Sequence, residues 1–332
     1  MNSQLTFVPQ TTFLGAVALP RRASCARSSG VRSATTAVLD TPASNTYLQR
    51  HAELAVRDFL TRRAVNTVMY YMHELGDNTT RTWLKRFERF SERVENGQFV
   101  DGESYLNRMM RAEKERISVQ VSHLGGRLLR TYEYDVEPFR LAKRILDIRK
   151  QLAAEWVGDL RCIEMENLEI QRMAIERALC SDEAQLESKR KLIFDSDPFA
   201  SDQTPLRYKN YHALKTLITS HAVSRLLPYV RDCGSNHDYM YLLQFCRAYG
   251  MIGDGDQFVR ELMGRPIERR THPSYTIQPR SLALQVLELR TAVAAEWIEV
   301  MKFVPSEHML MNRRILERSV EMGDGVCEQD EL

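Results

Sequence analysis

Three cysteines of this chain stand beside charged residues in arrangements that suit covalent cofactor chemistry. Arg231-Asp232-Cys233 precedes Gly234, Cys162 follows Arg161 with Asp159 three residues earlier, and Cys246 precedes Arg247. On a helix the Asp159–Cys162 spacing places both side chains on one face. A linear tetrapyrrole held by a thioether needs three groups. A thiol adds to its vinyl or ethylidene carbon, a carboxylate holds the pyrrole N–H groups, and a cation pairs with the propionates through charge-assisted bonds. Asp232 and Arg231 supply both partners for Cys233, and Asp159 and Arg161 supply them for Cys162. Cys246 has a cation and no close carboxylate. The competing reading is six ordinary free thiols, which commonly behave as small buried hydrophobes. The residues alone leave both readings open.

Other chemistry has little support. The chain has no G-x-S-x-G, no Walker-type or G-x-G-x-x-G loop and no H-E-x-x-H. No C-x-x-C pair suggests zinc or a thioredoxin-type site. Glu155 and Glu296, each followed by Trp, read as structural ion-pair partners, as do Glu166, Glu307, Arg172, Arg313 and the pairs Glu176-Arg177 and Glu317-Arg318. The expectation is a protein that is not an enzyme.

The elements that must position these thiols come as a long repeated unit. Tyr134 to Ala178 matches Tyr275 to Ser319 without a gap at an offset of 141 residues, including Pro138/Pro279, Leu141-Ala142/Leu282-Ala283 and Ala-Ala-Glu-Trp at 153–156 and 294–297. A weaker match at an offset of 158 sets Ala64 to Gly76 against Ala222 to Gly234, and Gln98-Phe99-Val100 faces Gln257-Phe258-Val259 at 159. The cysteines do not follow the repeat, which argues against a duplicated disulfide framework. The unit exceeds 100 residues, so two copies form a two-lobed body rather than a solenoid.

Helical spacing places a first helix from Asn45 to Glu74, stopped by Gly76, and a second capped by Asp77-Asn78-Thr79. A charged helix is expected from Glu103 to Leu124, ended by Gly125-Gly126. Pro138 and Pro279 each open a long helix, since proline fits the first turn. Further helices are expected at about 164–179, 181–192 and 306–320, with an irregular loop from Arg265 to Pro279. No run shows sustained period-two alternation. The expected fold is all-α, two tandem repeats of roughly five helices each, related by a pseudo-twofold. The boundaries are 1–44 for a plastid transit peptide and linker, 45–194 and 206–321 for the repeats, 195–205 for a linker, and 322–332 for an acidic tail.

The first forty residues contain Arg21, Arg22, Arg27, Arg32, many Ser, Ala and Thr, and one acid, Asp40. That is the composition of an organelle import signal, and Phe13 to Leu19 is short for a secretory core. The terminal QDEL is read as acidic tail rather than as an ER signal. The formal net charge is +2. Without the import signal it is near −1, and the stretch 41–320 is near +4 because Glu321, Asp324, Glu328, Asp330 and Glu331 crowd the end. No run reaches the apolar length of a membrane span, about 18 residues.

With these features together, the chain resembles the gamma subunit of red-algal phycoerythrin, the coloured rod linker of the phycobilisome. The resemblance covers about residues 45–320. It rests on the Tyr-x-[Val/Ile]-[Glu/Gln]-Pro helix start, the Ala-Ala-Glu-Trp end, the segments MHELGDNTTRTWLKRF and VRDCGSNHDYMYLLQF, and the duplicated helical unit behind a transit peptide. It implies a place in the central cavity of phycoerythrin (αβ) hexamers in the chloroplast, at the stromal face of the thylakoid. The implied partners are the phycoerythrin alpha and beta subunits and other phycobilisome linkers, with no nucleic acid. The implied cofactor is phycoerythrobilin, phycourobilin or both. Cys162 and Cys233 fit the family's bilin thiols best, with Cys246 a further candidate. No cysteine lies between Cys25 and Cys162, where the family would place an earlier one, so a colourless linker of the same fold also fits. The alternative class is an organellar helical-repeat RNA-binding protein, for which the unit is about three times too long.

Overall fold

The computed structural model describes residues 42–122, 129–179, 204–233, 236–250, 254–271 and 274–324. The expected transit peptide up to residue 41, the helix at 181–192, most of the linker and the acidic tail from 325 lie outside them, as do Cys25, Cys180 and Cys327. The described chain is mostly helical. In order it runs α1 (Pro42–Glu74), α2 (Asn78–Arg86), a 3-10 turn (Phe87–Arg89), α3 (Phe90–Glu95), α4 (Gly102–Arg111), β1 (Glu115–Ser122), β2 (Leu129–Val136) and α5 (Pro138–Leu179). Then come α6 (Arg207–Cys233), α7 (Asn236–Tyr249), α8 (Gly255–Met263), β3 (Glu268–Thr271), β4 (Ser274–Ile277) and α9 (Pro279–Asp324).

Local signals explain the breaks. Gly76 takes a left-handed conformation with φ +75°. It lets Asp77 N–H reach the Met72 carbonyl at 2.8 Å and Gly76 N–H reach that of His73 at 3.1 Å, which closes α1. Asp77 then caps α2 by accepting from Thr80 N–H at 3.0 Å. The N-terminus of α4 is held from α1, where Asp58 accepts from Gly102 N–H at 2.7 Å and Asp101 N–H at 3.1 Å.

Three expectations are corrected. The helix expected to run to Leu124 ends at Arg111, and β1 pairs with β2 in antiparallel register from Glu115↔Val136 to Ser122↔Leu129. Ile117, Val119 and Val121 alternate with Arg116, Ser118 and Gln120, a period-two run in β-branched residues, and Tyr134 and Tyr132 face the first two. The expected turn at Gly125-Gly126 lies outside the described residues. The loop expected from Arg265 to Pro279 contains a second, shorter hairpin, Glu268↔Ile277 to Thr271↔Ser274. The helices expected separately at 164–179 and 306–320 are the continuing ends of α5 and α9. Pro305 lies inside α9 and removes one backbone donor, yet Val304, His308 and Met311 stay buried on one face, so packing carries the helix through.

One detail of the internal match also changes. Phe99 lies in the loop before α4, whereas Phe258 lies inside α8. The comparable residues are Asp101-Gly102 and Asp254-Gly255: each Asp is an N-cap, and each Gly backs onto a threonine of the preceding long helix, Thr61 or Thr219. The extra length of the first half falls in α3 and in the longer hairpin.

The core centres on α5 and α9, which pack antiparallel. Asn167 of α5 donates to the Leu287 carbonyl and Thr291 Oγ1 at 3.0 Å each, while Arg149 near the start of α5 reaches Glu307 at 3.3 Å. One apolar cluster joins α1 to α5 with Leu214 and Ile218 of α6 and Val293 to Met311 of α9. A second joins α6, α7, α8 and the start of α9 with Ile170 of α5. Trp156 and Trp297 are fully buried, and Phe59 stacks on Trp156 at 5.2 Å. Burying side chains of this size contributes on the order of 3 kcal/mol each.

Candidate functional site

Cys162 sits on α5, half-buried, and its thiol donates to the Gly158 carbonyl at 3.5 Å. Its carboxylate neighbour on the helix is Asp159, as the spacing implied. Arg161, however, is exposed on the far side of the helix, and Asp159 is fully buried. The cation at this site is Arg207 from the first turn of α6, 2.9 Å from Asp159. Nothing in the sequence near Cys162 announced it, because the ion pair spans 48 residues. Burial pushes Asp159 above the usual carboxylate range against the pull of Arg207. Its second oxygen is buried without a hydrogen-bond partner among the described residues. Burial, with Asp159 and Glu166 nearby, pushes the Cys162 thiol up as well.

Cys233 is the last residue of α6. Beside it, Arg231 and Asp232 form an exposed ion pair at 3.0 Å, so both candidate partners face solvent at the helix end. Cys246 on α7 packs against the second core cluster, and burial pushes its thiol up to about 11. The three candidate cysteines therefore belong to three different helices, α5, α6 and α7. A thiolate is the reactive form, and the surroundings of Cys162 and Cys246 disfavour it.

The most concentrated polar chemistry lies elsewhere. Lys215 of α6 reaches Asp256 of α8 at 2.6 Å and Glu166 of α5 at 3.5 Å, and Arg290 of α9 reaches Asp256 at 2.5 Å. Burial would raise Asp256, but Arg290 and Lys215 together hold it at about 2. At the other end of the α5–α9 pair, Glu307 binds Arg57 of α1 at 2.7 Å and Arg149 at 3.3 Å, and Arg149 also meets His308 at 3.3 Å. Burial, then Arg149 and Lys150, pushes His308 down to about 4. These groups face one another across helix junctions, so they act as internal ion pairs rather than as a site open to substrate. Sequence reasoning found Glu166 and Glu307 but not their partners, which are distant in the chain.

Glu155 accepts from Thr204 N–H at 2.8 Å and its hydroxyl at 2.6 Å, and Glu296 takes both arms of Arg225 at 2.8 and 2.6 Å. Arg172 and Arg313, expected to pair with Glu166 and Glu307, instead form exposed i,i+4 pairs with Glu176 and Glu317. Among the described residues no group of three His, Cys, Asp or Glu could hold a metal ion, and no helix is long and apolar enough to cross a membrane. No family model, curated protein or solved structure matches the chain.

Proposed function

We propose that this chain is a phycobilisome rod linker of the phycoerythrin gamma type. In this reading it lies in the central cavity of phycoerythrin (αβ) hexamers in the chloroplast and carries bilins by thioether on Cys162 and Cys233. It is a tandem duplication whose halves are related by a pseudo-twofold. The observation that carries the proposal is reciprocal pairing between the halves. Glu166 of the first half meets Lys215 of the second at 3.5 Å, and its offset-related residue Glu307 of the second half meets Arg57 of the first at 2.7 Å. Lys215 and Arg57 are themselves related by the second offset. Such a swap is the signature of an isologous interface. A body of this kind offers two similar outer surfaces to symmetry-related neighbours, which suits a filler of a ring. The described fold also holds each candidate cysteine on a helix, and a fixed orientation is what a protein contributes to a bound pigment.

The test is purification from gently lysed plastids. The expected result is co-purification with phycoerythrin alpha and beta chains at about one copy per hexamer, visible absorption by the isolated chain, and a tetrapyrrole adduct on the Cys162 and Cys233 peptides. A chain that runs alone, or with RNA, would remove the proposal. Unmodified thiols in a chain that still co-purifies would reduce it to a colourless linker.

A further inference from the structure

The outward face of α5 near its start carries Arg140, Lys143, Arg144 and Lys150, all exposed, with Asp147 as the one acid among them. Helix stability disfavours this arrangement in two ways. The first turn of a helix carries the positive end of its dipole, which repels a cation such as Arg140. Arg140 also lies i,i+3 and i,i+4 from Lys143 and Arg144, where like charges oppose each other. Among the described residues the acid that contacts the row is Glu137, which binds Arg140 at 2.5 Å and is shared with Lys114 at 2.7 Å. Lys143, Arg144 and Lys150 form no ion pair among the described residues; Lys143 lies over the half-open ring of Phe139 at 4.6 Å.

The second proline-opened helix supplies an internal control. At the offset-related positions α9 carries Ser281, Leu284, Gln285 and Thr291, with Glu288 for Asp147. That helix begins in the same way, behind a hairpin and a proline, and buries the corresponding residues Leu282, Ala283, Val286 and Leu287. The fold therefore does not need cations on this face, and folding energetics work against them.

We propose that the basic row Arg140–Lys143–Arg144–Lys150 is a docking surface for an acidic protein surface. The row spans about 15 Å along the helix, with few charges and a single neighbouring aromatic ring. That favours a compact acidic patch over a nucleic-acid backbone, for which affinity grows with the number of phosphates neutralised. The inference does not depend on the antenna reading, because the face is tested with a generic acidic chain.

The full chain is titrated with poly-L-glutamate and, in parallel, with a single-stranded RNA oligonucleotide at low and high salt. Two double variants remove the same charge: Lys143→Gln with Arg144→Gln on the row, and Lys85→Gln with Arg86→Gln on exposed positions in the last turn of α2. The expected result is salt-sensitive polyglutamate binding that the first variant weakens about fivefold and the second changes by less than about twofold. The first variant should also keep or raise its urea midpoint, since it removes an unfavourable charge pattern. Absence of polyglutamate binding, or equal loss in both variants, overturns the proposal. Tighter binding of RNA than of polyglutamate through the same face overturns the partner class.

Discussion

The two ionic clusters at opposite ends of the α5–α9 pair use offset-related positions but differ in how far water reaches them. In the first, the side chains of Lys215, Asp256 and Arg290 are 3%, 4% and 0% exposed and Glu166 is 10% exposed. In the second, Arg149 is sealed at 2%, but Glu307 is 16% and Arg57 32% exposed. The difference lies in the acid that meets the buried arginine. Asp256 sits directly under Arg290, whereas Glu103, the corresponding residue of α4, is 47% exposed and pairs only loosely with Arg314 at 3.8 Å. One helix junction thus holds a closed charge network, and the other holds one that opens to solvent. A closed network requires every partner, because a charge left alone there cannot be hydrated.

The sharpest way to break this comparison is to remove one acid from each cluster. Asp256→Ala strands Lys215 and Arg290 and is expected to cost about 3–5 kcal/mol. Glu103→Ala leaves its neighbours access to water and should cost about 1 kcal/mol or less. Urea unfolding of both variants reads the difference. Equal losses would mean that the sealed and open clusters are energetically alike.

The clusters should also respond to acid in different windows. Asp256 is held at about 2, below its unfolded value, so its contribution is complete above about pH 4 and is lost as pH falls towards 2. His308 stands in the second cluster where the first has Asn167. Burial, then Arg149 and Lys150, holds its pKa down at about 4. The unfolded chain therefore binds that proton first, at about pH 6.5, and stability falls between there and pH 4 by up to roughly 3 kcal/mol. Burial, then His51 and Arg225, holds His221 near the same value, so it adds a similar slope. His308→Asn, which copies the first cluster, is expected to reduce the loss of stability between pH 6.5 and 4. Chemical denaturation at a series of pH values checks this; an unchanged slope would place the proton uptake elsewhere.

Sequence reasoning reached the parts of the structure that local chemistry dictates. Gly76, the Asp77 cap and the two prolines mark helix ends through backbone preferences, and the Ala-Ala-Glu-Trp segments declare buried close contacts. The first hairpin was missed although Ile117, Val119 and Val121 alternate with polar residues. Its run directly follows an amphipathic helix, and charged flanks extend the helical pattern into it. Continuity of α9 through Pro305 is a result of tertiary packing and leaves no local trace. The same holds for the site. Asp159 next to Cys162 was legible, but Arg207, Lys215 and Asp256 come together only when α6 and α8 dock on α5. Ion pairs between residues 34 or more apart have no spacing rule to reveal them.

The smallest effect, and the one that probes how the sealed cluster is held, concerns Gly102 and Gly255. A Cβ on Gly102 would lie 2.8 Å from Thr61 Cβ and Oγ1, and one on Gly255 would lie 2.4 Å from Thr219 Oγ1 and 2.7 Å from the Lys215 carbonyl. Either alanine forces its helix to back away. The start of α4 can shift because the next residue, Glu103, is half-exposed and weakly paired. The start of α8 cannot shift freely, because the next residue is Asp256, bonded to both Lys215 and Arg290. Gly255→Ala is therefore expected to cost about 2 kcal/mol, and Gly102→Ala about half of that. If the larger cost arises from pulling Asp256 off its partners, Gly255→Ala should cost less in an Asp256→Ala background than alone, since coupled sites are not additive. Strict additivity of the two substitutions would assign the cost to the steric contact with α6 itself and detach it from the charge network.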